Sequence, residues 1–327
     1  MIITRTPLRL PIGGGGTDLP FYYSRNKGFL VIATINKYVY IILHGRKFYN
    51  KSLIRYSQIE NVKDVNEIKH TRVREALKLL DIKDPLEITS IADVPSKTGL
   101  GSSSTFLVGL LNALHAHRRE FVSVANLAEE ACKIDLEMLK EPIGKQDQYA
   151  AAYGGLIQMD INQKGKVIVS RLNVNQDTIE ELQRNLFLFY TGLRRDASDV
   201  LMDQKKNAET SNDKMENMNQ IKKIGGEIKK ALENGDTRRF GEWLNVHWET
   251  KKMFSNKMTN PEINKWYKLA IENGAIGGKI MGAGGGGFFM FYCDKNQKNF
   301  KKAMVNSGLK ELEFQFDFDG SKILFNA

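Results

Sequence analysis

Residues 95–104 read Pro-Ser-Lys-Thr-Gly-Leu-Gly-Ser-Ser-Ser, between a predicted strand at Leu86–Ile91 and a predicted apolar helix at Thr105–His117. Glycines let backbone approach phosphate oxygens closely, and the free amides and dipole of a helix N-terminus attract anions. The segment lacks the Gly-x-x-x-x-Gly-Lys-Ser/Thr pattern, and Ser104 replaces the third glycine of the dinucleotide fingerprint. The pattern favours a phosphate-binding loop at Gly99–Ser104, while a purely structural turn stays open.

Two further glycine clusters lie far from this loop in sequence. Gly13-Gly14-Gly15-Gly16 follows a predicted strand at Ile2–Leu10 and leads into Thr17-Asp18. Asp18 can recognise sugar hydroxyls or can cap a short helix at Leu19–Ser24, and the two interpretations are equally supported. Gly282-Ala283-Gly284-Gly285-Gly286-Gly287 joins two predicted strands and forms a flexible turn unless it covers a neighbouring site.

The predicted elements mix strands and helices without strict alternation, which indicates the α+β class. Residues 29–43 predict one long strand or two consecutive ones, residues 155–160 and 166–172 a hairpin, and residues 313–318 a final strand. Ser123 is the predicted N-cap of a helix that runs to Leu139. We expect two domains, 1–180 and 181–327, because lysine-rich helices dominate the second part.

The composition restricts the function classes. Lys and Arg number 48 against 38 Asp and Glu, a formal net charge of +10. Because the lysines are interspersed with acidic residues, we expect attraction of anionic small molecules and no nucleic-acid partner. Two distant cysteines, Cys132 and Cys293, fit a reducing compartment as core residues. Without a leader-like or bilayer-length apolar segment, we expect a cytoplasmic protein with no membrane partner.

The three glycine clusters together resemble the three motifs of the GHMP kinases, the superfamily of galactokinase, homoserine kinase, mevalonate kinase and phosphomevalonate kinase. Thr6-Pro7-Leu8-Arg9 with its glycines resembles the first motif, Pro95–Ser104 the second and Lys279–Gly287 the third. The resemblance covers nearly the whole chain. It implies a two-domain fold, with a ribosomal-S5-like mixed sheet in the N-terminal domain and a ferredoxin-like α+β C-terminal domain.

Arg5–Arg9, Gly14–Leu19 and Glu141–Tyr149 look most like the sugar-1-kinases, which include bacterial heptose 7-phosphate kinase and fucokinase. This resemblance implies ATP-dependent transfer to the anomeric O1 of D-glycero-D-manno-heptose 7-phosphate, giving the 1,7-bisphosphate on the way to GDP-heptose. A kinase for fucose, mannose or galactose remains the alternative. The sequence departs from the pattern of these kinases at two places. It has Ile12-Gly13 where they often carry larger residues, and Asp135 where they more often carry glutamate.

The resemblance also assigns roles to individual residues. Asp147 is the expected catalytic base, and Arg9 the expected cation that lowers the pKa of the acceptor hydroxyl and neutralises the transferring phosphoryl group, unless it forms a surface salt bridge. Mg²⁺ would be held by Ser104 and Asp135, with Glu130 in reserve unless it lies on a solvated helix face. ATP would contact seven residues of the second motif: Pro95, Gly99, Leu100, Gly101, Ser102, Ser103 and Ser104.

The expected partners are ATP and a sugar phosphate, and a homo-oligomer is allowed. The substrate's own phosphate needs a separate anion site, for which Arg194 and Arg195 are candidates because they follow a strand and begin a helix. The other expected substrate contacts are in the first and third glycine clusters: Gly14, Gly15, Gly16, Thr17, Asp18, Gly284 and Gly285.

Overall fold

The computed structural model describes residues 1–193, 212–253 and 258–327. Strands and helices are interleaved along the chain, and the strands form two sheets, which confirms the α+β class. The strands are β1 (Ile2–Gly13), β2 (Gly28–Gly45), β3 (Ser52–Arg55), β4 (Ile59–Val62), β5 (Leu86–Ala92), β6 (Leu156–Ile161), β7 (Val167–Arg171), β8 (Leu186–Tyr190), β9 (Gly277–Ile280), β10 (Phe288–Tyr292), β11 (Lys310–Leu312) and β12 (Lys322–Asn326). The α-helices of the described ranges are α1 (Pro20–Asn26), α2 (Thr71–Leu79), α3 (Ser102–His117), α4 (Val124–Cys132), α5 (Gln146–Tyr153), α6 (Gln176–Asn185), α7 (Asn212–Glu233), α8 (Thr237–Lys252), α9 (Pro261–Glu272) and α10 (Gln297–Asn306).

The larger sheet has eight strands in the order β12-β1-β2-β5-β3-β4, with β6 and β7 continuing from β2. The long strand β2 pairs with β1 along one edge, and its two halves pair with β6 and β5 along the other. β3 and β5 are parallel, whereas the other pairs are antiparallel. The apolar helix α3 packs on β1 and β2, so the phosphate loop before it lies next to the first strand.

The smaller sheet has four antiparallel strands in the order β11-β8-β10-β9. Helix α8 packs against β9, and Phe289 and Phe291 of β10 stack within an aromatic core that also contains Trp248. Both cysteines are buried and free, as predicted. The domain boundary near residue 180 stays a prediction.

Two local predictions are wrong, and a third is confirmed with a change of helix type. Residues 313–318 form no strand beyond one isolated bridge between Phe316 and Ile35, and the chain ends instead in β12 against β1. Asp18 does not cap α1, whose N-cap is Leu19. The helix that Ser123 caps is α-helical only to Cys132 and continues as a π-helical turn, Lys133–Met138. The extra residue per turn is a common feature of functional sites, and this turn carries Asp135.

Candidate active site

All three glycine clusters meet around one cavity of about 380 Å³. Strand β1, the loop before α3 and the loop between β9 and β10 all line this cavity. Clusters that are more than 80 residues apart in sequence thus share a site. The lining residues that the sequence predicted are Arg9, Gly15, Gly16, Asp18, Gly99, Gly101, Ser102, Ser103, Ser104, Asp147 and Gly284.

The phosphate loop leads directly into the first turn of α3. The N-cap of α3 is Gly101, which has a left-handed backbone (φ 78°) and no side chain to cap the first amides. These amides therefore point toward the cavity without a side-chain acceptor, at the positive end of the helix dipole. Of the predicted ATP contacts, Pro95 is exposed and Leu100 is in the core, so neither lines the cavity.

Arg9 and Asp147 form a close ion pair beside this loop. Arg9 Nε and Nη2 both lie 2.7 Å from Asp147 Oδ1, and Arg9 Nη1 donates to the Gly99 carbonyl at 2.5 Å. Only 4% of the Arg9 side chain is exposed, which excludes a surface salt bridge. Asp147 Oδ2 accepts no hydrogen bond from the described residues and lies near Gly101. One carboxylate oxygen thus anchors the pair, and the other remains available to a ligand.

Asp18 lines the cavity, and it caps a helix other than the predicted one. Its Oδ2 accepts a hydrogen bond from the amide of Gln146, the first residue of α5, at 3.0 Å. Burial raises the pKa of Asp18 to about 6, partly offset by this hydrogen bond, and the nearby charge of Asp147 adds to the rise. Gly14 and Thr17 do not line the cavity; Thr17 Oγ1 is 2.8 Å from the Gly14 carbonyl and holds the turn.

The expected metal ligands are adjacent. Ser104 Oγ lines the cavity and lies 3.0 Å from Asp135 Oδ2, which also accepts from Gln148 at 2.7 Å, while Arg72 Nε is 2.8 Å from Asp135 Oδ1. A hydroxyl and a carboxylate suit Mg²⁺, which commonly takes its remaining ligands from water and phosphate. In the described ranges no three His, Cys, Asp or Glu side chains gather where they could hold a metal ion.

The reserve metal candidate, Glu130, is held elsewhere. Its Oε2 lies 2.7 Å from His115 Nε2, in a contact that also involves Glu120 at 3.2 Å from His115 Nδ1. Glu130 does not line the cavity. Of the two carboxylates considered, only Asp135 contacts Ser104.

The third glycine cluster covers the phosphate loop. Gly282 packs so closely on Gly99 that a Cβ on Gly282 would lie 2.8 Å from Gly99 Cα. Gly284 lines the cavity, whereas Gly285 does not and instead donates its amide to the Met258 carbonyl at 2.9 Å. The interpretation as a flexible turn away from any site is therefore wrong.

Arg194 and Arg195 lie outside the described residues, so their prediction is neither supported nor opposed by the geometry.

The sequence interpretation missed several charged residues of the cavity wall. Arg72, which contacts Glu141 at 3.5 Å, carried no recognisable motif, whereas Glu141 begins the Glu141–Tyr149 segment but was given no role. Lys251 is one of many lysines on amphipathic helices, so no local signal separated it from the others. Lys279 begins the third motif, and its position there could have suggested a role.

Comparison with known proteins gives the family. The GHMP kinases N terminal domain matches residues 68–155, and the GHMP kinases C terminal domain matches residues 228–311. D-glycero-alpha-D-manno-heptose 7-phosphate kinase of Campylobacter jejuni is 33% identical, over 98% of each chain. Galactokinase of Pyrococcus furiosus is 24% identical, over 90% of each chain.

A solved structure agrees with these relatives over the whole chain. A D-glycero-D-manno-heptose 1-phosphate kinase from Bacteroides thetaiotaomicron superposes with a TM-score of 0.82 at 25% identity, covering 99% of each chain. None of the helices in the described ranges has the length and apolar character that a bilayer crossing requires. GHMP kinases are ATP-dependent, and the relatives named above act on sugars or sugar phosphates. The chain therefore belongs to the GHMP kinase family, as a sugar kinase that transfers a phosphoryl group to an alcohol.

Proposed function

We propose that the protein transfers the γ-phosphoryl group of ATP to the anomeric O1 of D-glycero-D-manno-heptose 7-phosphate. The observation that carries this proposal is the Arg9–Asp147 pair, which adjoins the phosphate loop inside one cavity. A base and a cation beside an anion-binding loop are what phosphoryl transfer to an alcohol needs. The heptose as acceptor rests on 33% identity to a heptose 7-phosphate kinase over 98% of both chains.

Asp147 and Arg9 divide the chemistry between them. Asp147 Oδ2 takes the proton of the anomeric hydroxyl as the bond from O1 to the γ-phosphorus forms and the bond to the ADP oxygen breaks. An anomeric hydroxyl is more acidic than other alcohols, which suits a carboxylate base. Arg9 orients Asp147 through two N–H groups and adds positive charge beside the transferring group.

The remaining roles follow from position. The Gly99–Ser104 segment would bind the β- and γ-phosphates through the free amides of α3. Ser104 and Asp135 would hold Mg²⁺, which neutralises charge on nucleotide phosphates when bound. Asp18, as an ionised acceptor above pH 6, would bind sugar hydroxyls next to Gly15 and Gly16.

A substrate panel tests the acceptor. ATP consumption is measured with heptose 7-phosphate, heptose 1-phosphate, fucose, mannose and galactose, and the position of the new phosphate is read by phosphorus NMR. We expect the highest kcat/KM with heptose 7-phosphate and a new signal from a phosphate on O1. A higher kcat/KM with an unphosphorylated sugar, or a phosphate at another position, would contradict the assignment.

A further inference from the structure

Two lysines are buried in the cavity wall, where lysine is rarely found. Lys251, in the last turn of α8, is 6% exposed, and Lys279, in β9, is 1% exposed, and both line the cavity. Burying an ammonium group is costly unless a counter-charge or a ligand compensates it. Two buried ammonium groups in a cavity wall therefore require an anionic group, from the protein or from a ligand, to balance their charge.

Neither lysine has an anionic partner in the described ranges. Lys251 Nζ donates to the Gly282 carbonyl at 2.7 Å and Lys279 Nζ to the Pro11 carbonyl at 2.8 Å. In the part of the chain that the structure describes, no carboxylate oxygen lies within 4.0 Å of either ammonium group. Arg9 and Arg72, by contrast, each face a carboxylate. Among the buried cations that the structure describes in the cavity wall, the two lysines are thus the ones without a carboxylate partner.

Burial and neighbouring positive charges disfavour the charged form of both lysines while no anion is bound. Burial and the charge of Arg9 lower the pKa of Lys251 to about 8, although Asp18 opposes the shift. Burial and the charges of Lys251 and Arg9 lower the pKa of Lys279 well below its usual value. His247, one helical turn before Lys251, is fully buried and has no hydrogen-bond partner among the described residues. Burial and the charges of both lysines lower the pKa of His247. Its neutral ring supplies no negative charge that could balance the two ammonium groups.

The carbonyls that the lysines contact belong to the third glycine cluster and to the segment just before the first one. Gly282 packs on Gly99 of the phosphate loop, and Pro11 precedes the first glycine cluster. Lys251 also senses the charges of both Arg9 and Asp18. The two ammonium groups therefore lie near the phosphate loop and the first glycine cluster, where the proposed function assigns ATP and the acceptor.

We propose that Lys251 and Lys279 form a subsite for a phosphoryl dianion on the acceptor side of the cavity. A phosphoryl group fits better than a sugar hydroxyl because it carries about two negative charges and three acceptor oxygens, enough for two separate ammonium groups. It comes from one of two sources: the phosphate already on the sugar, or the phosphoryl group in transfer. The identity of the sugar rests on the proposed function, whereas the anion subsite does not.

The first experiment tests the subsite without any sugar. Inorganic phosphate is titrated calorimetrically into protein saturated with MgADP, which occupies the phosphate loop. We expect Lys251→Met and Lys279→Met each to weaken phosphate binding at least tenfold. Lys252→Met is the matched control, because Lys252 follows Lys251 in α8 but pairs with Glu249 at 2.8 Å and does not line the cavity. Unchanged affinity in both cavity variants, or no phosphate binding to the wild type, would overturn the subsite.

Steady-state kinetics then distinguish the two sources. If the subsite holds the phosphate of the substrate, Lys251→Gln raises the KM for the sugar phosphate tenfold or more and leaves kcat and the KM for ATP nearly unchanged. If the subsite holds the phosphoryl group in transfer, Lys251→Gln lowers kcat and leaves the KM values for the sugar phosphate and for ATP unchanged. The double change of Arg194 and Arg195 to alanine, run in parallel, tests the other anion site. A Lys251→Gln enzyme with wild-type kcat and KM values would overturn the proposal.

Thermal unfolding separates this role from a structural one. If the lysines serve binding, each is a buried charge without a counter-ion and lowers the stability of the free protein. Replacing one of them should therefore leave Tm unchanged or raise it. A structural lysine would instead lower Tm on replacement. A cavity variant that loses phosphate binding and also has a Tm well below that of Lys252→Met would count against the subsite. The same two measurements are repeated with Lys251→Gln, because glutamine keeps a donor for the Gly282 carbonyl.

Discussion

The Arg9–Asp147 pair is asymmetric, and the asymmetry assigns the two carboxylate oxygens different roles. Oδ1 lies 2.7 Å from two nitrogens of Arg9, while Oδ2 has no donor in the described ranges. The guanidinium is itself fixed by the Gly99 carbonyl, so the carboxylate cannot rotate without breaking charge-assisted bonds. The pair therefore presents Oδ2 in a constant orientation, as a base in phosphoryl transfer requires.

Replacing Asp147 by asparagine tests the base. The amide keeps the shape but cannot accept the hydroxyl proton, so we expect kcat to fall at least about 100-fold. The affinity for MgADP should change little because the phosphate loop is intact. Asp177→Asn is the matched control, since Asp177 also lies in the first turn of a helix but is exposed and outside the cavity. A kcat near that of the wild type in a rapid-quench assay would remove the role.

Asp18 makes stability depend on pH. Burial raises its pKa from 3.8 to about 6, so in this range the folded state holds a proton that the unfolded state releases. The stabilising contribution is complete below about pH 4 and is lost as the pH rises through 6. The expected loss is on the order of 3 kcal/mol. Urea denaturation of the wild type and Asp18→Asn at pH 4, 5, 6 and 7 measures it; a difference between the two that does not vary with pH would contradict it.

At the level of elements, the site depends on two glycine segments that touch each other. Gly99, in the loop before α3, and Gly282, in the loop between β9 and β10, approach so closely that neither has room for a side chain. The Phe288 amide donates to the Thr98 carbonyl at 3.2 Å and adds a backbone link between the same segments. The smaller sheet thus supports the loop that we propose binds nucleotide.

Gly282→Ala tests this contact. The backbone of Gly282 has a positive φ of 69°, and its Cβ would lie 2.8 Å from Gly99 Cα. We expect the two segments to separate, so that the affinity for MgADP falls at least tenfold and Tm falls. Gly308→Ala is the control for backbone strain alone, because its φ is 96° and a Cβ there meets nothing within 4 Å. Equal effects of the two substitutions in calorimetry would show that the contact does not matter.

At the level of the whole molecule, the end of the chain completes the sheet on which the site is built. Strand β12 pairs with β1, the strand that carries Arg9, from Ile2–Asn326 to Arg5–Lys322. Ser321, just before β12, lies 2.8 Å from Thr6 Oγ1 and 3.0 Å from Asn112 Nδ2 of α3. The C-terminal segment therefore forms an edge of the larger sheet and contacts both β1 and α3.

Ending the chain after Ser321 should expose β1 as an edge strand. We expect a lower Tm and concentration-dependent association, because an unpaired edge is a template for pairing between molecules. Light scattering and thermal unfolding measure these effects. Leu324→Ser keeps the strand and changes a half-exposed side chain, so it should behave as the wild type. A shortened protein with the Tm and monomer content of the full chain would show that β12 is dispensable.

Much of the local structure follows from local pattern. The phosphate loop, the long strand β2, the β6–β7 hairpin and the helix capped by Ser123 were all predicted, because side-chain periodicity and turn residues act over a few positions. The short strands β3 and β4 and the strand β12 were missed. The stability of these strands depends on pairing with other strands, and the local pattern of side chains does not indicate which strands will pair.

By itself, the sequence determined the order of the three glycine motifs, and with them the family, the phosphate loop and the expected roles of Arg9 and Asp147. Only the tertiary structure decided that Asp18 caps α5, that Glu130 pairs with His115, and that two buried lysines enter the cavity. The reason is physical. A motif is a local run of residues, whereas burial, ion pairing and the charge of a cavity arise from groups that meet only after the chain has folded.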